Sequence, residues 1–71
     1  MKNKFTNLTY SELIKEMIKS KETQDDLGKL LGLSRATINN KMAGRSDWYI
    51  TEADVICEHY KKNYYELFKR N

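Results

Sequence analysis

The chain has one cysteine, no proline and three glycines among its 71 residues. A single cysteine excludes an internal disulfide, which is typical of a reducing compartment. No repeat or low-complexity tract occurs, and the length suits one small domain. There is no apolar run of membrane-spanning length and no secretory hydrophobic segment after Met1. We therefore expect a cytoplasmic protein with no membrane partner.

Side chains that carry metal or nucleophilic chemistry are also scarce. Cys57 and His59 are the only soft metal ligands in the sequence. Two residues apart on a helix, their side chains diverge by about 200° and cannot share one ion. No nucleophile–base arrangement is visible either. We expect no enzyme, metal, cofactor or small-molecule substrate, with Cys57 in the core and His59 on the surface.

Helical periodicity and capping residues predict an all-α chain. No segment alternates as a strand over more than four residues, and the apolar residues recur at three- and four-residue spacings. The predicted N-caps are Thr9, Thr23, Ser34, Thr51 and Asn63. The predicted helices are 10–20, 24–31, 35–42, 52–60 and 64–68, with loose ends at 1–8 and 69–71. The five helices form one domain over 1–71.

The segment from Gln24 to Ala43 carries the most information about function. It reads as two short helices joined at Gly32, and Gly28 is small where the two helices would touch. Apolar residues stand where crossing helices bury side chains: Leu27, Leu31, Leu33 and Ile38. This spacing predicts a helix-turn-helix made of helices 2 and 3.

The second helix of this pair has an exposed face without acids. With Ile38 and Met42 facing the core, the outward residues are Ala36, Asn40 and Ala43, flanked by Asn39, Thr37 and Lys41. No Asp or Glu occurs between Leu33 and Ser46. A solvated surface is the plain alternative, but consecutive asparagines are poor helix formers and a solvated face would be expected to contain acids.

These residue types suit the edges of base pairs in a major groove. An asparagine amide pairs bidentately with adenine, an arginine fork with guanine, and a small alanine admits a thymine methyl. We predict that the base-reading residues are Arg35, Ala36, Asn39 and Asn40. The predicted phosphate contacts are Lys21, Gln24, Thr37, Lys41 and Arg45. The loose ends could also touch DNA, although a solvated tail is the simpler expectation.

The run from Thr23 to Gly28 and from Gly32 to Ile38 resembles the helix-turn-helix of Cro/CI-type (lambda-repressor-like, XRE) DNA-binding proteins. The resemblance extends over about 9–68, through the Gly44 loop and the closing Glu66-Leu67-Phe68. It implies a compact five-helix domain and a transcriptional repressor, of phage or prophage type, that binds a palindromic double-stranded operator as a homodimer. The chain departs from the family at Lys41, where an apolar residue is usual.

A protein-interaction module is the alternative function. Small helix-turn-helix domains can act as antirepressors that bind another phage regulator through an aromatic surface. The feature that would favour this alternative is one open patch made of Trp48, Tyr65 and Phe68. The homodimer would also need a surface on the same helical body, and Tyr65 and Val55 are candidates for it.

Overall fold

The structure is a computed structural model that describes residues 10–69. These residues form five helices and no strand. The helices are α1 Ser11–Lys19, α2 Gln24–Leu31, α3 Arg35–Met42, α4 Ile50–Tyr60 and α5 Tyr64–Leu67. The all-α, five-helix fold class is confirmed, and none of the described helices has the length and apolarity needed to cross a membrane.

Three of the helices begin where the capping residues indicate. Thr23 accepts the backbone N–H of Asp26, and the Asp26 carboxylate accepts the N–H of Thr23 at 2.8 Å. Ser34 accepts the N–H of Thr37 at 3.2 Å, and Asn63 forms a reciprocal box with Glu66. Each cap satisfies N–H groups that the first turn of a helix leaves without a partner.

Two predicted helix starts differ from the structure. The predicted cap of α4 at Thr51 is wrong, because α4 begins at Ile50 and the Glu52 carboxylate accepts the N–H of the N-cap Tyr49 at 3.0 Å. The N-cap of α1 is Tyr10, which makes no side-chain cap. Thr9, the loose end predicted at 1–8, and residues 70–71 of the loose end predicted at 69–71 lie outside the described residues.

One core holds the helices together. Leu13, Leu27, Ile38, Met42, Ile56 and Leu67 are fully buried side chains. An aromatic cluster closes one side of this core: the ring of Phe68 lies 5.9 Å from that of Tyr10 and 5.6 Å from that of Trp48, in edge-to-face arrangements. Such contacts add about 0.5–1.5 kcal/mol to the free energy of burial. The cluster joins the start of α1 to the end of α5.

Each of the first four helices is followed, within two residues, by a residue in the left-handed conformation. These residues are Lys21, Gly32, Gly44 and Lys61, with φ between 57° and 80°. After each of them the next N–H turns back to a carbonyl in the last turn, as from Glu22 to Met17 and from Lys62 to Cys57. This is the Schellman arrangement, which satisfies terminal carbonyls and reverses the chain over a few residues.

Candidate nucleic-acid interface

Helices α2 and α3 pack against each other more extensively than any other helix pair in the described part of the chain. Gly28 lies at their contact, and a Cβ atom there would meet the carbonyl oxygen of Leu33 at 2.5 Å. The same glycine accepts the N–H of Leu33 at 2.8 Å through its own carbonyl. A methyl group cannot fit at this distance unless the backbone moves. The predicted close approach at Gly28 is therefore confirmed.

The two faces of α3 separate core residues from exposed polar residues. Ile38 and Met42 are buried, as predicted. Arg35, Ala36 and Asn40 are exposed, while Asn39 and Thr37 are half-buried. The helix runs for eight residues, about 12 Å, and an α-helix with its side chains is about 10–12 Å across, which suits a B-DNA major groove about 12 Å wide. The residues predicted to read bases thus lie together along one accessible side.

Lys41 lies on the buried side of α3, so the prediction that it flanks the exposed face is wrong. Its ammonium lies 2.9 Å from the Glu52 carboxylate and donates to the backbone oxygen of Asp47 at 2.9 Å. The ring centroid of Tyr49 is 4.3 Å away. Because Lys41 follows Ile38 by three residues, both side chains leave the helix on nearly the same face. Its charge is compensated inside the protein and is not offered to a phosphate.

Glu52 is the residue that the sequence reading missed. Its carboxylate accepts from both Lys41 and the N–H of Tyr49, so it connects the end of α3 to the first turn of α4. The signal was present in the sequence. Lys41 follows the core residue Ile38 by three residues, a spacing that places it on the buried face. A lysine there needs a buried acid partner, because an unpaired buried charge is strongly destabilising.

Arg45 lies beyond α3 and folds back onto its exposed end. Its Nε donates to Oδ1 of Asn40 at 2.8 Å, and its terminal nitrogen donates to Oδ1 of Asn39 at 3.2 Å. One guanidinium thereby contacts both predicted base-reading amides. The sequence reading placed Arg45 against phosphate and gave no hint of this pairing.

The remaining predicted site residues lie at the start of α3 and at or just before the start of α2. Arg35 makes a loose ion pair with Asp25, with 3.9 Å between nitrogen and oxygen and both side chains largely exposed. Such a pair contributes little and is easily exchanged for a phosphate or a base. The Thr37 hydroxyl lies 3.0 Å from that of Ser34. Gln24 is the first residue of α2, and Lys21 is exposed in the preceding turn.

His59 has the surface position predicted for it, whereas Cys57, predicted in the core, is only partly buried. Cys57 packs against the core, and its burial, aided by the charge of Asp54, raises the pKa of the thiol. His59 is on the surface, with Nε2 2.8 Å from the Glu22 carboxylate. Within residues 10–69, no group of three His, Cys, Asp or Glu side chains is placed to hold a metal ion.

The aromatic patch that would favour an interaction module is not formed. Phe68 is only 6% exposed because it packs in the cluster with Tyr10 and Trp48. Trp48 is half-buried, and Tyr65 alone of the three predicted patch residues is open, at 84% exposure. The condition that would favour the interaction module, one open surface made of Trp48, Tyr65 and Phe68, is therefore not met.

The fold and the α2–α3 geometry define a helix-turn-helix protein. A family model described as Cro/C1-type HTH DNA-binding domain matches residues 12–71. The chain belongs to this family, and it is a DNA-binding regulator of the lambda-repressor-like kind. Comparisons with curated proteins and with solved structures gave no significant match.

Proposed function

We propose that this protein is a transcriptional repressor of a phage or prophage, and that it reads its operator by placing α3 in the major groove. The observation that carries this proposal is the exposed side of α3. It presents Arg35, Ala36 and the two asparagine amides, and α3 itself carries no carboxylate. Negative charge on that side would repel the phosphates that border a groove.

The base contacts follow from the chemistry of each exposed group. The amides of Asn39 and Asn40 match the N6 and N7 positions of adenine. Arg35, in the first turn of α3, reaches the O6 and N7 atoms of guanine once it leaves Asp25. Ala36 is small enough to let the helix approach and to contact a thymine methyl. Each bidentate contact is worth about 1–3 kcal/mol of discrimination between bases.

The phosphate contacts come from residues around the ends of α2 and α3. Lys21 contributes an exposed positive charge. Gln24 lies in the first turn of α2, where backbone N–H groups and the helix dipole favour an anion. Thr37 contributes a hydroxyl on the flank of α3. Lys41 is omitted, since its ammonium is bonded to Glu52 and Asp47.

Two copies of the chain would bind one operator. A single small domain buries only about 600–1,000 Å² of protein surface on DNA, which limits both affinity and specificity. A homodimer doubles the contacts and imposes two-fold symmetry on the operator. Its interface would use exposed apolar residues of the helical body, and Val55 and Tyr65 belong to that set. Operator binding would place the protein on bacterial DNA in the cytoplasm.

The test is a selection of bound sequences from random double-stranded DNA at moderate salt. The wild-type protein should select a motif with two-fold symmetry, and the Asn40→Ala variant should lose discrimination at one base step in each half-site. Lys29→Ala, on an exposed position of α2, is the control and should select the wild-type motif. An unchanged motif with Asn40→Ala contradicts base reading by α3.

A salt titration separates phosphate-dominated DNA binding from the interaction-module alternative. The affinity should fall steeply as salt rises, because phosphate contacts release counterions. A chain that binds no DNA at low salt, yet associates with another regulator, would instead be an interaction module.

A further inference from the structure

The guanidinium of Arg45 contacts both asparagine amides of α3 and fixes which way they face. A guanidinium carries only donors, so the atom of each amide that meets it must be the oxygen. The two bonds, 2.8 Å to Asn40 and 3.2 Å to Asn39, therefore hold both Oδ1 atoms toward Arg45. Each Oδ1 keeps a second lone pair and each Nδ2 keeps two donors, so both amides can still pair with a base edge.

The backbone after α3 delivers Arg45 to this position. Gly44 has φ of 80°, a left-handed conformation that a residue with a Cβ adopts only with strain. The N–H of Gly44 donates to Lys41, and the N–H of Arg45 donates to the carbonyl of Asn40 at 2.9 Å. This Schellman turn reverses the chain within two residues, so the side chain of Arg45 leaves beside Asn40.

An amide held by a neighbour loses less rotational freedom when it binds a base. Asn40 is exposed and Asn39 is half-buried, so without such a bond their side chains would sample several rotamers in the free protein. Ordering them before binding lowers the entropic cost of the contact and excludes the flipped amide, in which donor and acceptor are exchanged. Such an arrangement affects the choice of base more than the attraction to DNA.

We propose that Arg45 is a positioning residue that sets the base preference of Asn39 and Asn40, rather than a phosphate contact. This inference rests on the proposed reading of DNA by α3. It predicts that the two functions of arginine, its charge and its forked donor geometry, can be separated by substitution. The charge matters to a phosphate, whereas the fork matters to the two amide oxygens.

Two variants of Arg45 make this separation. Arg45→Lys keeps the positive charge but has no fork to hold both oxygens, and Arg45→Met removes both properties. Lys21→Met is the comparison variant, because Lys21 is an exposed cation assigned to phosphate. Base preference is measured by selection from random DNA, and the dependence of Kd on salt is measured on the selected operator.

If Arg45 is a positioning residue, the preference for the favoured base should fall about tenfold in both Arg45 variants. The fall should occur at the base pairs that Asn39→Ala and Asn40→Ala identify. The slope of log Kd against log salt should stay at the wild-type value in Arg45→Met. In Lys21→Met the motif should persist while the slope falls by about one. An Arg45→Lys protein with the wild-type motif, together with a smaller slope in Arg45→Met, would overturn the inference and restore a phosphate role.

The side-chain amide signals of the free protein give a readout that needs no DNA. In a ¹⁵N spectrum the Nδ2 groups of Asn39 and Asn40 should shift and become more mobile in Arg45→Lys but not in Lys21→Met. Amides that are unaffected by Arg45→Lys contradict positioning even if DNA is bound. A wild-type protein that selects no sequence overturns the proposed function, and the role in base preference falls with it. The two failures are therefore distinguishable.

Discussion

Nζ of Lys41 lies 2.9 Å from Oε1 of Glu52, and the two side chains are only 7% and 13% exposed. The pair connects the last turn of α3 to the first turn of α4. Since Glu52 also accepts the N–H of Tyr49, one carboxylate determines both where α4 begins and how α3 is held against it. The orientation of α3, the helix that we propose to enter the major groove, thus depends on a charge pair that lies away from its exposed side.

Removing one charge of this pair should lower the free energy of unfolding much more than removing both charges. Lys41→Met leaves the Glu52 carboxylate buried without a counter-charge, and we expect a loss of about 3 kcal/mol in the free energy of unfolding. The double variant Lys41→Met/Glu52→Gln should recover most of this loss, because Gln still accepts from Tyr49. Urea unfolding measures both. Lys15→Met is the matched control, since the Lys15–Glu12 pair is exposed and should contribute under about 0.5 kcal/mol. Equal losses for the single and double variants would contradict this account.

A methyl group at Gly28 should destabilise the helix-turn-helix. The carbonyl of Leu33 would lie 2.5 Å from the new Cβ, and Gly28→Ala can be accommodated only if α2 and α3 move apart. We expect a loss of about 2 kcal/mol, which thermal unfolding would show as a fall in Tm of about 10 °C. The control is Lys29→Ala, which changes the next residue of α2. Because Lys29 is exposed, this variant should change Tm little. A stable Gly28→Ala protein would show that the helix pair tolerates a wider separation.

Glycine should be favoured at Lys61, where α4 ends. Lys61 has φ of 57°, a conformation that strains any residue with a Cβ. Lys61→Gly should raise the free energy of unfolding by about 0.5–1 kcal/mol, after allowance for the greater entropy of glycine in the unfolded chain. Lys61→Ala removes the same side chain but keeps the Cβ, so it should give no such gain. Equal stability of these two variants would exclude backbone strain as the cause.

Asp26 should make the stability of the protein depend on acid pH. Hydrogen bonds from the backbone N–H and then the hydroxyl of Thr23 hold the pKa of this carboxyl below its ordinary value. A carboxyl whose pKa is lower in the folded state stabilises the protein above the pKa of the unfolded chain, about 3.9, and this contribution is lost as pH falls through the folded value.

The comparison that tests this linkage is Asp26→Asn at two pH values. At neutral pH the variant should be less stable than wild type, because Asn still accepts from Thr23 but without a charge. As pH falls below the pKa of the unfolded chain, about 3.9, and then through the lower folded value, the difference should shrink toward zero. Urea midpoints at both pH values measure it. Asp25→Asn removes a neighbouring charge that makes no bond to the cap, and it serves as the control. A difference that is constant with pH would rule out the charged cap as its cause.

Local signals in the sequence were enough for the helix-turn-helix. The caps at Thr23 and Ser34 and the small residue at Gly28 determine the two helices and their contact, and all three act over a few residues. The start of α4 was misjudged because Thr51 with Asp54 has a capping pattern, whereas Tyr49 makes no side-chain cap and only the Glu52 carboxylate accepts its N–H. Glu52 is bonded to Lys41, a contact between separate helices that capping patterns do not express.

The orientation of the candidate site also depends on contacts that helical spacing does not express. The exposed side of α3 follows from helical spacing, but the bonds from Arg45 to the two amides require the turn at Gly44. The burial of Phe68 requires Tyr10, which lies at the other end of the chain. Composition and periodicity place one aromatic residue in the first predicted helix and one in the last. They do not indicate that two residues so far apart in the sequence are in contact.

The contact between the rings of Tyr10 and Phe68, 5.9 Å apart, brings the two ends of the five-helix body side by side. A short flexible linker between these ends would close the backbone into a ring with little distortion of the helices. Cyclisation restricts the unfolded chain more than the folded one, so the ring form should resist heat and exopeptidases better than the linear protein. The same proximity makes the domain a suitable insert for a surface loop of another protein, where entry and exit points must be close together.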